Sequence, residues 1–322
     1  MIGLLDAGAW NAGAAMVFRE LRPAVPSPII CRSLSRPPAF LAAAAGTNCG
    51  TLHSLPKYAG MKLPFQSPAP RRTLRRPQPT LVPELKKASI SALYRAARVG
   101  GDFYDFLMTE SGRLIFVLLD VAGKREEALD IAAAVQDRMR SLAAELFRAD
   151  SVNEAEALPA LLVELNRVVI QTAGGVRCAP AFLGCYDGEL GTLTYINAGH
   201  TPALLKDHEG VTRLEANGFP LGLFSHATHD ARFTAIQSGA ALLLVSRGLV
   251  ESKAGSKEYG IERLAECISQ ISFHDAQHLC SQVLDAVKVF TESSWRHKES
   301  ENDVTTLALV RAAAQAAAGA AG

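Results

Sequence analysis

Two aspartates carry the first chemical signal in this chain. Asp102 follows a glycine pair in VGGDFYDF (99–106), and Asp120 comes near the end of the apolar run RLIFVLLDV (113–121). Glycines let the backbone and its neighbouring carboxylate approach a ligand closely. A carboxylate at the end of a buried strand emerges at the edge of the core. Two carboxylates presented this way suit a hard cation such as Mg²⁺ or Mn²⁺, which takes oxygen ligands and keeps several waters. The same residues also serve as caps, Asp102 and Asp105 in a turn and Asp120 ahead of a helix. Spacing alone leaves both readings open.

Other candidates are weaker. AGK (122–124) lacks the upstream glycine of a phosphate loop, and Arg125 stands where Ser or Thr should follow. Lys124 remains a candidate for contact with a phosphate oxygen. His200 closes NAGH (197–200), and a histidine in a strand-to-strand turn is more often structural than a proton donor. HATH (226–229) has no nearby third ligand for zinc. There is no GxSxG elbow and no cysteine in a recognisable nucleophile setting.

These residues must be positioned by a core, and the composition supplies one. Of 322 residues, 48% are hydrophobic, and the formal net charge of +1 gives no case for a nucleic-acid partner. The 6 cysteines form no CxxC pair, which fits a reducing cytosol better than a disulfide framework. No apolar run approaches the ~18 residues of a membrane span. The short apolar stretch in PAFLAAAAGTNC (38–49) starts too far from the N-terminus for a targeting signal.

Residues 1–80 are Ala-, Pro- and Arg-rich without sustained periodicity and are expected to be disordered, with the proline-rich run 68–83 an extended linker. A folded domain is expected over 81–311, followed by a low-complexity tail over 312–322. Within the domain the patterns predict strands at 88–97 and 113–121, then an amphipathic helix over 125–147 with Ala128, Ile131, Val135, Met139 and Leu142 on one face. A helix over 157–173 follows, then strands at 179–187, 191–199, 229–237 and 241–246. Helices at 258–271 and 274–292 precede a last strand at 303–311. Strands and helices segregate, so the expected class is α+β with mainly antiparallel sheets.

Taken in order, VGGDFYDF, LDVAGK, LTYINAGHTPALL, GFPLGL, ALLLVSRGLVES, YGIERL and NDVTTLALV resemble the metal-dependent protein serine/threonine phosphatases of the PPM (type 2C-like) superfamily. The resemblance is strongest to the bacterial SpoIIE/RsbU branch, which reads VGGDFYD, GDVSGKG, NAGH, LYTDGVTEA, FGxERL and DDITL. It runs from about Leu81 to Arg311 and implies a four-layer α-β-β-α sandwich with two central antiparallel sheets. It also implies two Mn²⁺ or Mg²⁺ ions, held by aspartates, that activate a water against phosphoserine or phosphothreonine. The implied partners are phosphorylated regulatory proteins, such as anti-sigma-factor antagonists. No nucleic acid or membrane is implied.

Carried over by position, Asp102 matches the GGD aspartate and Asp120 the ion-bridging aspartate, with the Val121 carbonyl a neighbouring ligand. Asn302 falls on the first Asp of DDIT and Asp303 on the second. Arg247 falls on the metal-binding Asp of TDG, and Arg125 on the glycine that closes GDVSGKG. Asp120 and Lys124 are thus the catalytic candidates. Asp102, Asp120, Val121, Asn302 and Asp303 are the metal candidates, and Arg247 is a candidate phosphate contact. An arginine ~5 Å from a dication at an effective dielectric of ~20 is repelled by roughly 6 kcal/mol. The resemblance therefore leaves one ion or none in place of two. It also leaves two functions: a metal-dependent phosphatase, or a pseudophosphatase that binds phosphoproteins or a partner.

Overall fold

The computed structural model describes residues 75–96, 101–175, 177–293 and 302–313, all within the unit Met61–Gly322. In chain order the elements are β1 (Ala88–Arg95), β2 (Asp102–Met108), β3 (Arg113–Asp120), α1 (Arg125–Leu146), α2 (Glu154–Ala173), β4 (Ala181–Asp187), β5 (Thr192–Ala198), β6 (Ala203–Lys206) and β7 (Val211–Leu214). The chain continues through β8 (Arg232–Ala235), β9 (Ala241–Val245), α3 (Arg247–Val250), β10 (Lys253–Ala254), β11 (Lys257–Glu258), α4 (Gly260–Gln270), α5 (Ala276–Glu292) and β12 (Val304–Arg311).

Two five-stranded sheets form, in the orders β1-β12-β9-β6-β7 and β2-β3-β4-β5-β8. Every pairing within them is antiparallel. The continuous apolar run of β3 is explained by its two covered faces. Ile115, Val117 and Leu119 join the core under α1 and α2, while Leu114, Phe116 and Leu118 join the core shared by the two sheets. The other sheet repeats the logic: Ala241, Leu243 and Val245 of β9 pack with residues of α4 and α5, and Leu242 and Leu244 pack between the sheets. Alternation of period 2 on a strand with no wet face yields an unbroken apolar string. The layers are therefore helix, sheet, sheet, helix, as the α+β sandwich reading expected.

Most predicted elements sit within a few residues of their expected bounds. The sequence reading did not anticipate the β6–β7 hairpin, whose strands are only four residues each. Its turn is set by Asp207, whose carboxylate accepts from the backbone N–H of Glu209 at 2.8 Å and of Gly210 at 3.2 Å. Asp102 and Asp105, for which a turn was one of the two open readings, instead lie within β2. Among the described residues, no helix is long and apolar enough to cross a membrane.

The linker expectation changes where it can be seen. Residues 75–85 have no regular secondary structure, yet they are not simply solvated. Gln78 exchanges two hydrogen bonds with Gln136 of α1, at 2.6 and 3.0 Å. Thr80 donates to the carboxylate of Asp105 at 2.8 Å. The remainder of the 1–80 segment, like residues 314–322 of the expected tail, lies outside the described residues.

Asp105 itself is fully buried and receives a two-pronged contact from Arg140 of α1, at 2.7 and 2.8 Å. This pair ties α1 to β2, the strand that begins with Asp102. Removing one partner of a buried ion pair strands the other. Arg140→Ala is expected to lower unfolding free energy by about 3 kcal/mol in urea titration, with part of the loss recovered when Asp105→Asn is added.

Candidate metal and phosphate site

The site is built where β2 begins and β3 ends. Asp102 and Asp120 are direct cross-strand partners in that ladder. Beyond Asp120 the chain stays pinned: Val121 N–H donates to the Gly101 carbonyl at 3.1 Å, and Ala122 N–H to the Cys178 carbonyl at 3.0 Å. Gly101 is required here. A Cβ on it would lie 2.4 Å from the Val121 carbonyl oxygen and 2.6 Å from Cβ of Ala128. The glycine before Asp102 thus serves a close approach of backbone to backbone.

The second sheet supplies the opposite wall. Thr305 of β12 donates its hydroxyl to Asp102 Oδ2 at 2.6 Å, bridging the two sheets through the site. Ser246 receives the Thr305 N–H at 3.0 Å and precedes the short helix α3, which starts at Arg247. Gly248 is pressed against the chain before β12, since a Cβ there would lie 2.0 Å from the Asp303 carbonyl oxygen. A cavity of about 40 Å³ results, lined by Asp102, Asp120, Val121, Ala122, Gly123, Arg247, Gly248, Asn302 and Asp303. Residues more than 180 positions apart in sequence therefore meet in one hollow. Lys124 does not line it; it is exposed at the N-cap of α1.

Electrostatics divide this hollow into two halves. In the first, Asp102 and Asp120 face each other. Burial, and then the Asp120 charge, push the Asp102 carboxyl up from 3.8 to about 7, against the stabilising hydrogen bonds from Thr305 and Ser246. Carboxylate oxygens are the donor type that a hard dication takes, and Val121 and Asn302 line the same cavity. This half fits one Mg²⁺ or Mn²⁺.

The second half does not fit another. Arg247 places Nε 3.4 Å from Asp120 Oδ2. Asn302 directs its amide nitrogen to Glu251 at 3.4 Å. The Asp303 carboxylate accepts from the Tyr94 hydroxyl at 2.7 Å and from Arg125 Nη1 at 3.2 Å. Among the described residues, no group of three or more His, Cys, Asp or Glu side chains is arranged to hold a metal. Tyr94 and Arg125 are the participants that motif reading missed. Arg125 was visible only as a departure from glycine, and a tyrosine on a predicted strand carried no chemical signal.

The histidines separate from the metal set. His200 is buried near Asp120, and burial lowers its pKa against the pull of that carboxylate. Its Nδ1 lies 3.2 Å from the Thr201 carbonyl oxygen. His229 Nε2 lies 2.9 Å from the Phe219 carbonyl oxygen, which gives HATH a structural partner in place of a metal.

Two stacked antiparallel sheets between helix layers, with aspartates gathered at one end of the strands, define the PPM-type phosphatase fold. Residues 110–312 match the family model for stage II sporulation protein E (SpoIIE), and the chain belongs to that family. Protein IcfG of Synechocystis sp. is 28% identical over 212 residues, covering 59% of this chain and 33% of IcfG. Phosphoserine phosphatase RsbU of Bacillus subtilis is 26% identical over 240 residues, covering 72% of this chain and 65% of RsbU. The chain thus spans less than two thirds of the length of either curated relative. The solved RsbU and RsbW domains of a Mycobacterium tuberculosis protein superpose with a TM-score of 0.57 at 26% identity, over 73% of this chain and 63% of that one.

The facing carboxylates make a pH prediction for the metal-free protein. A carboxyl raised in the folded state keeps a proton that the unfolded chain has released. Its stabilising contribution is full below about pH 4 and is lost as pH rises through about 7, with an upper limit of about 4 kcal/mol. In EDTA, Asp102→Asn is expected to match wild type below pH 4 and to exceed it in unfolding free energy above pH 7.

Proposed function

We propose that this chain is a slow protein serine/threonine phosphatase that works with one divalent cation and acts on a phosphorylated regulatory protein. The observation that supports it most directly is the register of Asp102 against Asp120 within a single cavity. These two carboxylates, with the Val121 carbonyl and the Asn302 amide oxygen, would hold Mn²⁺ or Mg²⁺. A cation there supplies acidification of water and neutralisation of charge on phosphoryl oxygens.

The protein's own residues do the rest. Thr305 fixes the Asp102 carboxylate by its 2.6 Å hydrogen bond, so the anionic face is held in place before a ligand arrives. Arg247 is the candidate phosphate contact. Its side chain is 45% exposed and touches Asp120 only at 3.4 Å, so its fork can turn to a phosphoryl group and grip two oxygens. Lys124, exposed at the start of α1 next to the cavity-lining Gly123, is the second candidate contact for a phosphate oxygen. Hydrolysis of the phosphate ester in the absence of a second cation carries less charge compensation, which is why the rate is proposed to be slow. The proposed substrate class is supported by family membership and by the phosphoserine activity in the name of RsbU.

A second reading has its own observation. The Arg247–Asp120 contact places a positive charge on the carboxylate best suited to bridge ions. If that contact persists, the domain is a pseudophosphatase that binds phosphoproteins or a partner without turning them over, its metal site degenerate.

Calorimetry with Mn²⁺ and hydrolysis of an aryl phosphate separate the two. The phosphatase reading expects wild type to bind one Mn²⁺ and to turn over the ester, with activity falling at least 100-fold in Asp120→Ala. Arg247→Asp combined with Asn302→Asp is expected to raise turnover. Wild type that neither binds Mn²⁺ nor hydrolyses, beside a double variant that does both, would establish the binder instead.

A further inference from the structure

The half of the cleft that does not fit a cation is not merely damaged. Asp303 is 1% exposed at its side chain, so its charge must be met from within. Tyr94 donates its hydroxyl proton to Asp303 Oδ2 at 2.7 Å, and Arg125 reaches both partners, Asp303 Oδ1 at 3.2 Å and the Tyr94 oxygen at 2.7 Å. The three groups close a triangle in which each donated proton meets one acceptor: Asp303 Oδ2, Asp303 Oδ1 and the Tyr94 oxygen. They come from two layers: Tyr94 from β1 and Asp303 from the residue before the neighbouring strand β12, both in one sheet, and Arg125 from the first position of α1 over the other. The triangle therefore clasps the helix over one sheet to the edge of the other sheet at the cleft mouth.

We infer that Arg125 and Tyr94 form an internal counter-ion for Asp303 that takes the place of a second divalent cation, so this end of the sandwich is held together by the protein's own charge. The inference extends the one-cation reading of the cleft but is tested apart from it. Arg125 stands where the family pattern closes GDVSGKG with glycine, and a glycine has no atom that could reach Asp303. The same chain carries Arg247 and Asn302 where that pattern has aspartates. Two positive side chains gained and two carboxylates lost, all lining one hollow or its rim, describe a coherent exchange of metal charge for guanidinium charge. The guanidinium suits the task because its planar fork stays charged and serves two oxygens at once.

The test reads stability and metal stoichiometry in the full chain. In EDTA, Arg125→Gly is expected to lower Tm by about 6–12 °C, since a buried carboxylate loses its partner. Saturating Mn²⁺ is expected to restore at least half of that drop, and to shift wild type by less. Tyr94→Phe removes two hydrogen bonds and no charge, so it folds even if Arg125→Gly does not, and a fall of about 2–4 °C is expected. In the Arg247→Asp, Asn302→Asp background, calorimetry should find one more Mn²⁺ with Arg125→Gly than with Arg125 in place. Arg125→Gly within 2 °C of wild type, an unchanged Tm for Tyr94→Phe, or a stoichiometry indifferent to residue 125 would each overturn the inference. Wild type that fails to hydrolyse an ester while these shifts appear would sink the phosphatase reading and leave the counter-ion standing.

Discussion

Asp102 stands across from Asp120 because β2 and β3 pair in one register, with Phe106 opposite Phe116 and Met108 opposite Leu114 further along the ladder. A slip of one residue would turn every β2 side chain to the other face, burying the carboxylate in the core under α1 and sending Phe103 to the cleft. The register is enforced at both ends: Gly101 lets the two backbones meet at the site, and the aromatic and aliphatic faces of β3 lock the remainder. Site geometry and core packing are here the same constraint.

A hollow that gathers several carboxylates must import positive charge, and this protein draws on two sources. The Asp102–Asp120 pair, with its raised carboxyl, has Arg247 beside Asp120 and, under the proposed function, would take one dication. Asp303 already has a guanidinium and a phenol. Arg247 lies between the two regimes, close enough to touch Asp120 and exposed enough to leave it. A phosphoryl group entering the cleft would meet that arginine from the solvent side, where the cost of releasing Asp120 is smallest.

Much of the architecture was legible in the sequence because each signal was local and strong. The buried run of β3, the 3.6-residue face of α1 and the apolar β9 could be read without a partner, since their patterns follow from which faces are covered. The β6–β7 hairpin escaped because its strands are short and β7 is largely exposed, which leaves little alternation to detect. β2 escaped as a strand for another reason: Asp102 and Asp105 within it read as turn residues. The fully buried Asp105 belongs there because Arg140, from a helix that follows later in the chain, and Thr80, from the segment before β1, both reach it. The docking of Gln78 and Thr80 was likewise invisible in a proline-rich segment whose composition reads as a tail.

By itself the sequence determined the α+β class, the ordered motif set that resembles the family's, and the presence of Arg247 and Asn302 where that motif pattern has carboxylates. Each of these depends on residue type and near-neighbour pattern. Only the tertiary structure decided what those residues do to one another. It brought Asp303 to Tyr94 and Arg125 across 209 and 178 positions of chain, and it set Arg247 against Asp120. Side-chain pairing between layers depends on register, burial and the direction of each stem, none of which leaves a periodic trace in the chain.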